Sequence, residues 1–269
     1  MVYESFFESE LQRVDSSLGR QRRINRLMMY TGANAICQGK GESLYAENLL
    51  LGAEEESTVE DLLIWHLHDS VSKQMSEEQL GNYMNDLVKK AEKMDQAENV
   101  YYILPFLTYY ETRWNERKGY GELAALAKSI GKQLQHSKGL FMAAAADCFE
   151  QMTEEAYDQR EVFADFVKAG AVQIRKSWRQ CEQQRTVNSD SLLIAYGLLK
   201  GIRLGILRKE EYGSIAKTIL MVNEAEGFVF SQDGFRWRQE HMGLKETMYT
   251  MMAYGEYERL RKERPYYGV

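Results

Sequence analysis

The chain has 269 residues, with 34 Lys and Arg against 40 Asp and Glu, a formal net charge of -6. That balance, with no long basic run, argues against a nucleic-acid partner. A mean hydropathy of -0.50, with apolar runs broken well short of the roughly 20 residues a span needs, argues against a membrane bundle. The N-terminal MVYESFFESELQRV lacks a basic start followed by an apolar core, so no signal peptide is expected. The short cluster of Arg20, Arg22, Arg23 and Arg26 reads as a solvated helix face. Cys37, Cys148 and Cys181 are far apart and odd in number, which suits reduced thiols in a cytoplasmic protein. Two prolines and apolar residues at helical spacing point to an all-α chain.

In chain order, two kinds of helix alternate. TVEDLLIWHLHD, with Asp61, is an early apolar segment. His66 and His68 within it diverge on a helix and share no metal, so a structural role is expected. From Ser76, SEEQLGNYMNDLVKKAEK has a capped, acidic start and apolar residues at Leu80, Tyr83, Met84, Leu87 and Val88. Val100 to Tyr110 is apolar nearly all round, and Pro105 should kink it or mark a late start. Gly121 to Leu134 is amphipathic, and Gly139 to Phe149 is again small or apolar throughout. Arg160 to Trp178 carries one stripe through Val162, Phe163, Phe166, Val167, Ala171 and Ile174. Leu192 to Leu207 is opened by Asn188-Ser189-Asp190 and punctuated by Gly197, Gly201 and Gly205, small residues that admit another backbone. After amphipathic Lys209 to Val222, alternating aromatics around Asp233-Gly234 predict a small β-hairpin near residues 227–238. The apolar Thr247 to Tyr254 closes the series.

A layer of all-round apolar helices inside one-faced helices predicts an α/α toroid, a closed (α/α)6-like ring of six hairpins or fewer. One domain over residues 1–269 is expected, since no low-complexity linker divides the chain. An open helical-repeat superhelix is the alternative architecture, and it would leave each inner helix a wet edge. The sequence holds no phosphate loop, no Cys/His metal spacing and no nucleophile elbow.

The inner helices carry a family resemblance. SDSLLIAYGLLKGIRLGIL followed by RKEEYGSIAKTIL resembles the "ETS-S-AMFAYALAKGIRLGYL" and "EY---A" hairpin of the unsaturated glucuronyl and rhamnogalacturonyl hydrolases, glycoside hydrolase families 88 and 105. ENVYYILPFLTYYE resembles their "D-LYMA-PFLARYA" helix, KGLFMAAAADCFEQM their "GNGWYAMALVDVLEL", and GLKETMYTMMAYGEYERL their closing "G-GAFLLAYSELLKL". The four occur in family order from Glu98 to Leu260. Residues 96–264 thus form the family-like part. Residues 1–95 are divergent front hairpins, in a chain shorter than the family's.

The resemblance implies an (α/α)6 barrel that hydrates the C4=C5 enol ether of a 4,5-unsaturated uronic acid, with a carboxyl as proton donor. The partner it implies is a pectin- or glycosaminoglycan-derived oligosaccharide or disaccharide, and the chemistry requires no metal or organic cofactor. The family's acid lies seven residues before the proline of its "PFL" motif, which falls on Glu98. Asp95 lies one turn earlier if the helix extends that far, and Asp61 corresponds to the second family carboxylate. The aromatic residue two before the acid is Gln96 here. The family's Trp-Gly-Arg-Gly-Asn-Gly-Trp stretch falls on residues 135–141, where both tryptophans and the arginine are missing and His136 and Lys138 are the polar stand-ins. Trp237, Arg238, His241 and Asp190 complete the candidate substrate contacts. Each has a structural alternative: Glu98 as a first-turn acid, Asp190 as a helix cap, Trp237 as hairpin packing. A catalytically inactive toroid that binds a sugar or protein therefore stands beside the enzyme.

Overall fold

The computed structural model describes residues 19–46, 49, 58–133, 138–180, 189–225, 228–231, 234–237 and 243–262. Helix α1 (Gly19–Lys40) is followed by a 3-10 helix (Val59–Leu67) that runs into α2 (His68–Val71). Then come α3 (Glu77–Ala91), α4 (Val100–Arg113), α5 (Tyr120–Gln133), α6 (Lys138–Gln151), α7 (Tyr157–Gln180), α8 (Ser189–Arg203) and α9 (Lys209–Ala225). The hairpin β1 (Phe228–Ser231) and β2 (Gly234–Trp237) precedes α10 (Leu244–Lys262). The predicted all-α chain with one small hairpin is what forms, and Phe228 pairs with Trp237, Phe230 with Phe235 in antiparallel register.

Six staves close into a ring: α1, the 3-10 segment with α2, α4, α6, α8 and α10, the last packing back on α1. They run parallel, because equivalent heights meet. Arg23 of α1 pairs with Asp61 at the start of the 3-10 helix, and Asn34 donates to the His66 carbonyl near its end (2.8 Å). Thr112 donates to the Gln151 carbonyl (3.4 Å), linking the last turns of α4 and α6. Gly139 faces Asp190, Gly197 faces Ala143, and Arg203 reaches Glu150 and Glu256. The closure rules out the open superhelix. Among the described residues α3, α5, α7 and α9 form the outer layer, each burying one face. In α7 that face is Phe163, Val167, Ala171 and Ile174. The run Ala143–Ala146 is wholly buried, because α6 is enclosed by α4, α7 and α8 and has no face for a larger side chain.

Glycines set the closest approaches. A Cβ on Gly255 would lie 2.3 Å from the Ala35 carbonyl oxygen, and one on Gly39 would lie 2.6 Å from that of Gly255. The backbones of α1 and α10 therefore touch, and that contact closes the ring. The glycines of α8 divide their duties. Gly197 admits α6, and Gly201 lies against Val167 and Leu207. Gly205, at φ 72°, ends the helix, with the N–H groups of Ile206 and Leu207 both turned back to the Gly201 carbonyl. The helix expected to run to Leu207 thus stops at Arg203.

Other boundaries follow local chemistry. Ser76 and Gln79 form the reciprocal cap expected at α3. Helix α4 runs unbroken through Pro105, which falls in its second turn, close to the start. The apolar segment with Asp61 forms a 3-10 helix rather than an α-helix for nine residues. Arg23, read as part of a solvated face, is instead fully buried, because Asp61 offers its guanidinium a two-point partner. No helix among the described residues is long and apolar enough to cross a membrane.

Candidate functional site

Since the staves run parallel, their N-terminal ends share one rim of the ring. Asp61, in the first turn of the 3-10 helix, Glu98, just before α4, and Asp190, the second residue of α8, all belong to it. Lys138 is the first residue of α6 and Trp237 the last of β2; their side chains lie outside the described set, as do His136, Arg238 and His241 entirely.

The four described carboxylates have different surroundings. Asp61 is fully buried and takes two bonds of 2.9 Å from Arg23, while its Oδ2 also accepts from the Thr58 N–H at 2.6 Å. Both oxygens are engaged by Arg23, which holds α1 against the 3-10 segment, and Oδ2 also caps the start of that segment. Asp95 is exposed, and α4 does not extend back to it. Its Oδ1 instead accepts from the N–H groups of Ala97 and Glu98 (3.0 and 2.9 Å), closing a separate turn whose last N–H, Asn99, bonds the Asp95 carbonyl. Glu98 is exposed at the end of that turn.

Asp190 is half-buried, and burial pushes its pKa up, opposed by the backbone N–H groups of Leu140 and Gly139. Those donors belong to the first turn of α6, which the Asp190 carboxyl faces. A Cβ on Gly139 would lie 2.6 Å from Asp190 Oδ1; glycine makes room for the carboxyl. Oδ1 itself forms no hydrogen bond of normal geometry among the described residues. Among the rim carboxyls Asp190 thus stands in a setting that favours its protonated form more than water does.

Below the rim the ring axis is filled. Tyr101 and Tyr102 of α4 reach across it to α10: the Tyr102 and Tyr249 hydroxyls bond at 3.0 Å, and Tyr101 donates to Met252 Sδ at 3.5 Å. The rings of Tyr101 and Tyr249 pack edge to face at 5.6 Å between centroids. All three tyrosines are buried, so Tyr101 and Tyr102 line the core.

Beneath them lies an ion cluster that the sequence did not announce as a unit. Three carboxylates, Asp147, Glu150 and Glu256, meet three cations, Lys200, Arg203 and Arg259. Lys200 Nζ lies 2.5 Å from Asp147 and 2.6 Å from Glu150, and the Tyr196 hydroxyl donates to Asp147 at 2.6 Å. Burial alone would lower the Lys200 pKa, but Asp147, Glu150 and Glu256 outweigh it and keep the ammonium charged. Burial would likewise raise Glu150, yet Lys200 and Arg203 hold its carboxyl well below the usual carboxylate range. Burial and Lys200 both lower the His66 pKa, so its imidazole is neutral. His68 bonds the Tyr109 hydroxyl and packs edge-on against Trp114. Among the described residues no group of three His, Cys, Asp or Glu side chains is arranged to hold a metal ion. The available signal for the cluster was a lysine and an arginine, Lys200 and Arg203, inside an otherwise apolar helix.

Compared with known proteins, the chain matches no family model and no curated sequence. It does superpose on a solved structure described as a glycoside hydrolase from family 105 of C. acetobutylicum ATCC 824, with a TM-score of 0.63 and 14% sequence identity. The superposition covers 96% of this chain and 99% of that one, and so takes in the front of the chain, where the sequence motifs fade. At that identity the likeness establishes the fold alone: this chain is an α/α toroid, as that structure is.

Proposed function

We propose that the chain is a glycoside hydrolase that removes a 4,5-unsaturated uronic acid from an oligosaccharide at the N-terminal rim of the ring. A rim carboxyl protonates C4 of the enol ether, water adds its oxygen at C5 and returns a proton to the carboxylate, and the resulting hemiketal opens to release the aglycone. Glu98 occupies the position the resemblance gives the donor, with Asp95 beside it in sequence. Asp190 is the rim carboxyl whose pKa burial raises, as general acid work requires. Trp237, Arg238, His241, His136 and Lys138 are the proposed contacts to the uronate. The observation that carries this reading is the full-length likeness to a family 105 glycoside hydrolase. One domain in the cytoplasm is the setting we propose, and the buried Cys37 and Cys148, neither in a disulfide, suit it.

Two observations favour a second reading, an inactive toroid that still binds carbohydrate: Asp61 is fully committed to Arg23, and the motif tryptophans and arginine are missing from residues 135–141. Incubation with unsaturated galacturonyl and glucuronyl disaccharides separates the two. The enzyme should bleach the enol-ether absorbance, and Glu98→Gln and Asp190→Asn should each slow it by about 100-fold or more. Binding without bleaching across the panel favours the inactive toroid.

A further inference from the structure

Carboxylates crowd the rim formed by the N-terminal ends of the staves. Glu60 and Asp61 lie in the first turn of the 3-10 helix, Glu98 just before α4, Asp190 at the start of α8 and Glu246 in the first turn of α10. Lys245, the second residue of α10, has the opposite charge and is exposed. It forms no ion pair among the described residues. The first turn of a helix is where the helix dipole favours an acid and disfavours an ammonium. Lys245 thus gains nothing from its own helix and has no paired carboxylate to offset that.

The tyrosines across the axis fix its position. Lys245 Nζ lies over the Tyr102 ring, 5.3 Å from the centroid, within the range of a cation–π contact. Tyr102 comes from the first turn of α4 and is buried, and its hydroxyl bonds that of Tyr249 on α10 at 3.0 Å. The ring beneath the ammonium is therefore held from both sides of the bore. Burial pushes the Tyr102 pKa up and Lys245 opposes it, which places the positive charge beside the phenol. Glu60 acts on the same phenol but forms no ion pair with Lys245. Lys245 stands one turn nearer the rim than Tyr249, so its charge faces whatever enters there.

We propose that Lys245 is a specificity-determining contact of the rim site, receiving the carboxylate of the uronate, and that Tyr102 is the positioning residue that holds its ammonium at the axis. The inference rests on the reading of this rim as a uronate site. An anionic sugar entering among carboxylates is drawn to the charge of opposite sign. Its carboxylate, borne on C5, then points inward against the tyrosines, and the glycosidic oxygen on C1 faces the opening.

Calorimetric titration and turnover of an unsaturated galacturonyl disaccharide, as the free acid and as its methyl ester, test it on the full chain. The acid should bind about tenfold more tightly than the ester, or better. Lys245→Met keeps the stem and removes the charge, so the acid's Kd should weaken about tenfold or more while the ester's holds. The melting temperature should not move, because the side chain is exposed, and Lys245→Arg should restore most of the preference. Tyr102→Leu removes the ring beneath the ammonium and should lower the same acid-to-ester ratio, which a general loss of fold would not. Lys73→Met, in the wall of the cavity of about 610 Å³ at the C-terminal ends of the staves, should leave both Kd values unchanged. Binding of the acid without bleaching, lost in Lys245→Met, refutes the hydrolysis and upholds this contact. Bleaching with the acid's KM unchanged in Lys245→Met upholds the hydrolysis and overturns the contact. Equal binding of acid and ester, or binding of neither, overturns it as well.

Discussion

His66 enters the fold neutral, and its environment ties stability to pH. Unfolded, the imidazole takes up a proton near pH 6.5; folded, burial and Lys200 prevent it. Its folded pKa is depressed, so its contribution is complete above about pH 6.5 and is lost as pH falls below that value, where the unfolded chain binds the extra proton. Between pH 7 and 5.5 this one residue should remove about 1 kcal/mol of unfolding free energy. Urea denaturation reads it, and His66→Gln should flatten that part of the pH dependence; equal slopes in the two proteins would refute it. His68, lowered by its partial burial and by Arg113, shifts in the same sense. Single-residue roles were the least legible level of the sequence. Asp61 looks like a catalytic carboxylate because the partner that commits it, Arg23, lies 38 positions upstream. Asp95 looks like a residue of α4 because a side chain that captures two N–H groups leaves no trace in hydrophobic spacing. Asp147 and Lys200 are visible one by one, but which acid faces which base depends on how the staves are set.

At the scale of elements the sequence was far more legible, since burial pattern and helix type have the same cause. A helix enclosed on every side must be apolar or small, or carry charges that pair with an enclosed neighbour, as Asp147 of α6 and Lys200 of α8 do, and a helix with one wet face carries one stripe, as α7 does. Glycine was harder to read, because an identical residue serves opposite ends. Gly255 lies where α1 and α10 touch, and a methyl there would meet the Ala35 carbonyl. Gly213, inside α9, would place a Cβ no nearer than 3.4 Å from the flexible Lys209 side chain. Gly255→Ala should therefore destabilise by about 1–3 kcal/mol or more, whereas Gly213→Ala should stabilise by about 0.5–1 kcal/mol through helix propensity alone. Chemical denaturation of both variants checks the pair, and equal effects would contradict the packing described for α1 and α10.

For the molecule as a whole, closure is the property that matters. A closed ring of 269 residues should scatter with a radius of gyration of about 18 Å, and small-angle scattering that gave an elongated envelope would be incompatible with α10 sealing against α1. Closure was foreseeable from the alternation of helix types; the filling of the axis was not, because Tyr101, Tyr102 and Tyr249 come from staves on opposite sides of the ring, nearly 150 residues apart in the chain. Their consequence is directional. The partition they build divides the bore of the ring, so nothing can thread it from end to end, and whatever enters the cavity at the C-terminal ends of the staves must leave by the opening it came in through.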